Sequence, residues 1–296
     1  MRIARKANGM LRPLGLVLSL LMVLTGAHIA LTQEPQAKPK AKPKVQFQLK
    51  PDPRAQQRSY HFEEADKDIP YVLYVSSKVS KEKKNPLIVA LHGMGGDANF
   101  IVRDRLVDLA EEGGYIAVGP MGYNVSGWYG SPVITFNKSP VEPPNLRELS
   151  EKDVMNVLEL MRREFNVDNE RTYLLGHSMG GAGALFLGSK YTSDWAAIAS
   201  IAPAAFMMLK DRKEYLGKIS DAGIPVMIVQ GDKDTAVPIT YTRQWIDTMK
   251  EIGMKYEYIE LPGGDHGTVI GDGMPDIFKF FAAHPRAGVQ SLRNSD

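Results

Sequence analysis

The chain has 296 residues, 44% of them apolar, enough for one large hydrophobic core. It contains no cysteine, which excludes a disulfide-stapled scaffold, a thiolate nucleophile and a cysteine-ligated metal centre. The formal charge of +2 conceals a division: residues 58–296 carry 26 Lys and Arg against 32 Asp and Glu, so the body of the chain is acidic and nucleic acid is not an expected partner.

At the start, Arg2, Arg5, Lys6 and Arg12 precede the apolar run Leu14–Leu24, which small residues Thr25-Gly26-Ala27 close. This basic, apolar, small-residue order predicts a signal peptide over residues 1–30 and a secreted or periplasmic protein. Left uncleaved, the same stretch would serve as an N-terminal membrane anchor. Residues 31–57, with Pro, Lys and Ala recurring from Gln33 to Lys44, read as an extended, solvated linker.

A single domain is expected over 58–284, with a polar tail over 285–296. Tyr60–Phe62 and Ile69–Ser76 predict an antiparallel pair joined by the acidic turn Glu63–Asp68. Pro86–Leu91 is a continuous apolar run, as in a strand covered on both faces. A helix is expected over Asn99–Glu112 and a strand over Tyr115–Val118. Ser150–Phe165 predicts an amphipathic helix opened by a capping-box-like Ser150 and Asp153. Strands over Arg171–Leu175, Ala196–Ala202, Ile224–Val229 and Tyr256–Leu261 alternate with helices over Ala182–Lys190, Ile239–Ile252 and Ile277–Ala283. That alternation predicts an α/β fold: a mostly parallel central sheet with antiparallel N-terminal strands and helices on both faces.

Thr172-Tyr-Leu-Leu-Gly-His-Ser-Met-Gly-Gly181 holds Gly-x-Ser-x-Gly between a strand and a helix. A serine at such a turn is held in strained backbone angles with its hydroxyl clear, and Gly176 and Gly180 let the chain cross itself. Ser178 is therefore the candidate nucleophile, and it needs a base and an orienting acid. Of the six histidines, His28 lies in the signal peptide, His61 in the antiparallel strands, His92 at the end of a buried strand, His177 beside Ser178 but pointing away, and His284 past the last helix. His266, in Gly263-Gly-Asp-His-Gly267 beyond the last strand, is the candidate base. Gly231-Asp-Lys-Asp-Thr-Ala-Val-Pro238 offers Asp232 and Asp234; Asp234 is the preferred orienting acid, with Asp232 bracing the loop.

An oxyanion needs two preorganised donors. The Met179 N–H follows the nucleophile, and the His92–Gly96 turn supplies the second, Met94 first and Gly95 next. Tyr123, Trp128 and Tyr129, in the aromatic loop 122–130, are candidates for stacking a substrate group, with packing of the loop onto the domain as the competing role. Pro203–Leu209 is a second candidate rim. No cofactor and no metal is expected.

Leu91-His-Gly-Met-Gly-Gly-Asp97, Asn166–Gly181, Gly231-Asp-Lys-Asp234 with Val237-Pro238, and Asp265-His266-Gly267, in the order Ser, Asp, His, resemble the α/β-hydrolase superfamily. Within it they are most similar to secreted esterases of the polyhydroxybutyrate-depolymerase and feruloyl-esterase type and to prolyl-oligopeptidase-like hydrolases. The resemblance implies a serine carboxylic ester hydrolase working through an acyl-enzyme on a small-molecule or polysaccharide-linked ester, with a serine peptidase or amidase as the alternative.

Overall fold

The strands form one eight-stranded sheet in the order β1-β2-β4-β3-β5-β6-β7-β8. In the computed structural model, residues 50–135 and 140–286 are described. The expected signal peptide and most of the linker and tail lie outside them. β1 (Gln56–Phe62) pairs antiparallel with β2 (Lys67–Val75), and β2 antiparallel with β4 (Ile116–Pro120). β3 (Asn85–Leu91), β5 (Val167–His177), β6 (Ala197–Ile201), β7 (Val226–Gly231) and β8 (Tyr256–Leu261) run parallel with β4 and each other. The first strand thus opens at Gln56, and the carboxylate of Asp52 just before it is held by Arg54 at 2.8 Å.

Side chains alternate across each strand, so the apolar runs feed two cores. Leu87, Val89, Leu91 and Leu174 meet α2 (Leu146–Glu164), α3 (Met179–Lys190), α4 (Arg212–Asp221) and α5 (Ile239–Glu251) through residues such as Val157, Leu185, Ile219 and Trp245. Ile88, Ala90, Tyr173 and Leu175 meet α1 (Asp104–Gly113) and α6 (Thr268–Ala283) through Val107, Ile277 and Phe281. Both faces of the parallel sheet are covered, so its strand ends are where the loops can present polar groups.

Several elements differ from the sequence expectation: α4 has no counterpart in it, β5 opens four residues early at Val167, and helices α1, α2 and α6 start elsewhere. α1 begins at Asp104 instead of Asn99, because Asp97–Phe100 is a turn in which Asp97 accepts from the Asn99 N–H at 2.9 Å. α2 begins at Leu146, one turn early, which puts Ser150 and Asp153 in its buried interior and not in a capping box. α6 begins at Thr268, nine residues early. Asp265 Oδ1 accepts the N–H groups of Gly267 and Thr268 at 2.9 and 2.8 Å. Packing of Gly273 against Val229 carries the helix through its poor formers.

Candidate active site

β5 ends where Ser178 takes φ 57°, ψ −114°, a region few non-glycine residues adopt. The turn is held from both sides: the Ser178 N–H donates to the Ile201 carbonyl at 2.9 Å, and its carbonyl accepts from Ala182 and Ala204, each at 3.0 Å. A Cβ on Gly176 would stand 2.0 Å from the Gly180 carbonyl oxygen, and one on Gly180 would stand 2.3 Å from that of Leu91. Only glycine lets strand, turn and helix pass this closely.

The ends of β5, β7 and β8 bring together the three residues expected from the sequence. Ser178 Oγ lies 2.9 Å from His266 Nε2, and His266 Nδ1 lies 2.7 Å from Asp234 Oδ2. The Asp234 side chain is fully buried while that of His266 is 27% exposed, so the imidazole reaches solvent and its partner does not. Asp234 Oδ1 accepts from the Ala236 and Val237 N–H groups at 2.9 and 2.8 Å, and Oδ2 also accepts from Gln230 Nε2 at 3.0 Å. Burial pushes the Asp234 carboxyl up, but the bonds from His266, Val237 and Gln230 outweigh it and hold it below its usual range. Asp232 accepts from the Gly263 N–H at 2.7 Å and so ties the β7 loop to the β8 loop.

The two N–H groups expected at an oxyanion sit as follows. Met179 opens α3, whose N-terminus carries the positive end of the helix dipole. Gly95 is ruled out, since its N–H donates to the Val125 carbonyl at 2.8 Å, whereas the Met94 N–H has no acceptor among the described residues.

The aromatic loop is corrected. Trp128 and Tyr129 are 2% and 0% exposed and belong to the core, so neither can stack a substrate. The Tyr129 N–H donates to Ser150 Oγ at 2.9 Å, and the Tyr129 hydroxyl donates to the His92 carbonyl at 3.2 Å. Tyr123 is turned onto Phe62 and under the Lys67 ammonium, and its N–H donates to Asp153 at 3.1 Å. The buried polar groups of α2 thus draw this loop's backbone inward, and the rings follow. His92 below it is fully buried; burial outweighs its contacts with the Gly93 and Met121 carbonyls and lowers its pKa.

Gln230, and the partner of His177, escaped the sequence reading. Gln230 is fully buried; it donates to Asp234 and to the Val237 carbonyl, and accepts from Thr242 at 2.7 Å. Its signal is a lone amide ending the apolar run Val226–Val229. His177, expected only to point away from Ser178, turns toward the loop that carries His266, whose carbonyl accepts from Nε2 at 2.8 Å. Its parity with Tyr173 and Leu175 places it on the α6 side, where that loop begins. Among the described residues the exposed large apolar side chains are Met94, Met207 and Tyr241, on the segments that follow β3, β6 and β7 at this same end of the sheet.

Comparison with known proteins agrees with this architecture. Residues 63–267 match the family model described as "Putative esterase", and the chain belongs to that esterase family. "Putative esterase NocK" of Nocardia uniformis subsp. tsuyamanensis is 28% identical over 162 residues, 52% of this chain and 41% of that protein; the chain thus spans under half of that relative's length. A thermostable esterase has a TM-score of 0.61 at 23% identity, over 79% of this chain and 63% of the other. A ferulic acid esterase of Anaeromyces mucronatus, solved with ferulic acid, also has a TM-score of 0.61, at 19% identity over 85% of this chain and 98% of the other. These structural likenesses establish the α/β-hydrolase fold.

Proposed function

We propose that the protein is an exported serine hydrolase that cleaves carboxylic esters through an acyl-enzyme. The observation that carries this reading is the continuous Ser178–His266–Asp234 chain of hydrogen bonds at 2.9 and 2.7 Å. In it, His266 takes the Ser178 proton as Oγ attacks the ester carbonyl, then gives it to the leaving alcohol. Asp234, kept ionised by its donors, holds Nδ1–H and offsets the imidazolium that forms. The developing oxyanion is received by the N–H groups of Met94 and Met179. Water, activated by the same imidazole, attacks the acyl group and releases Ser178 and the acid.

Met94, Met207 and Tyr241, exposed at this end of the sheet, with Phe206 edge-on to Tyr241 at 4.8 Å, favour an ester with an apolar or aromatic part. A ferulic acid esterase among the structural neighbours is in keeping with that chemistry. The basic and apolar N-terminal segment supports export.

The test is turnover of a panel of p-nitrophenyl, feruloyl and acetyl esters beside peptide anilides, with fluorophosphonate labelling. Ester turnover well above anilide turnover is expected, with labelling abolished in Ser178→Ala. Faster anilide cleavage would make the protein a peptidase or amidase, and labelling that persists in Ser178→Ala would remove Ser178 as nucleophile.

A further inference from the structure

The relay leaves one imidazole of the site without a role. His177 is 3% exposed and directly precedes Ser178. Its Nε2 faces the His266 carbonyl at 2.8 Å; a carbonyl only accepts, so Nε2 carries the proton and Nδ1 is bare. One face of the ring stacks on Phe100 with centroids 5.5 Å apart and planes 20° apart, and the ring meets that of His266 at 4.6 Å. Its Nδ1 lies 3.0 Å from where a Cβ on Gly93 would stand, so only glycine fits there comfortably. The ring therefore touches three strand-end segments at once: the Gly93–Gly96 turn, the elbow that carries Ser178, and the loop that carries His266.

We infer that His177 is a positioning residue: a rigid strut whose Nε2–H fixes the backbone of His266, and thereby sets its imidazole at bonding distance from Ser178. This rests on the esterase reading above.

The chemistry explains why an imidazole suits the place. The ionisable groups that face it are His266 and Asp234. Burial first, and the neighbouring His266 second, hold the His177 pKa down to about 3, so the ring donates a hydrogen bond while staying neutral. A cationic donor at 4.6 Å would oppose the imidazolium that His266 must become. A planar ring wedged on Phe100 also has few rotamers to lose, so the carbonyl is held at low entropic cost.

Two variants separate donor from ring. His177→Phe keeps an aromatic ring and removes the donor. His177→Gln can place an amide N–H where Nε2 stood. On a p-nitrophenyl ester, His177→Phe is expected to lower kcat by about 10- to 100-fold, the scale of a small misplacement of the base, with KM changed less than about threefold. Fluorophosphonate labelling of Ser178 should slow by a similar factor, and His177→Gln should keep kcat within about fivefold of the parent. The inference is overturned if His177→Phe keeps kcat within about twofold, or if His177→Gln loses as much as His177→Phe. Should the Phe variant fail to fold, His177→Gln decides alone, a loss beyond about tenfold overturning the inference. Failure of the esterase reading shows separately, as a parent protein without ester turnover or a Ser178→Ala variant that retains it.

Discussion

The loop after β4 and the loops after β5, β7 and β8 leave the same end of one sheet, yet they use their side chains in opposite senses. The three later loops send Ser178, Asp234 and His266 toward one another, with His266 still open to solvent. The loop after β4 places Trp128 and Tyr129 in left-handed backbone, φ 59° and 51°, and drives both rings into the core. The difference lies in what waits beneath. Under the β4 loop, α2 offers Ser150 and Asp153, two buried acceptors that capture backbone N–H groups of Tyr129 and Tyr123. Under the β7 loop, the captured group is the Asp234 carboxylate itself, held by Gln230 and two backbone N–H groups. An aromatic-rich loop at a strand tip is thus no guide to a binding surface until its backbone hydrogen bonds are known.

Substitutions on the two sides sharpen that contrast. The largest effect should follow Asp234→Asn, which presents an amide donor to His266 Nδ1–H: kcat falls on the order of 10⁴-fold with the fold retained, read by ester kinetics beside circular dichroism. An equal loss in Asp232→Asn would reassign the acid. In the β4 loop, Tyr129→Ala should cost about 3–5 kcal/mol of stability in urea unfolding, as for other buried aromatic truncations, with KM of the folded enzyme changed little. A large rise in KM at unchanged stability would return Tyr129 to the substrate pocket.

Asp153 gives the contrast a pH signature. Burial, opposed by bonds from Tyr60 and backbone N–H groups, raises its pKa from 3.8 to about 6. Below pH about 4 it is protonated folded and unfolded alike; above about 6 it is ionised in both states, and the buried charge costs about 3 kcal/mol. The stability of the parent protein relative to Asp153→Asn should therefore fall by about that much as pH rises from 4 to 6, measured by unfolding at each pH. A flat difference would show the carboxyl to be better solvated. The smallest effect belongs to Asp232→Asn: about 1 kcal/mol or less of stability, for one exposed bond to the Gly263 N–H, and kcat within about threefold.

Much of the site was legible because its parts are local. The glycines at 176 and 180 announce a backbone crossing that no other residue permits, and the apolar runs of β3, β5, β6 and β7 announce buried parallel strands. Ser178 and Asp234 each follow such a run, and His266 follows the part-buried edge strand β8, so their convergence could be expected once strand ends were aligned. Helix starts were less legible: the turn at Asp97 and the Asp265 bonds that open α6 shift boundaries that periodicity alone cannot place.

What the sequence determined by itself, then, was backbone: the sheet, the elbow and the order of the polar groups along it. The tertiary structure alone decided the partners. Strand order sets α2 beneath the β4 loop, so Ser150 and Asp153 become anchors instead of a helix cap, and Trp128 and Tyr129 become core. It likewise turns His177 and Gln230 toward the groups they hold. Local pattern fixes which way a side chain leaves the chain; whom it meets depends on elements distant in sequence, and only the packed fold brings those together.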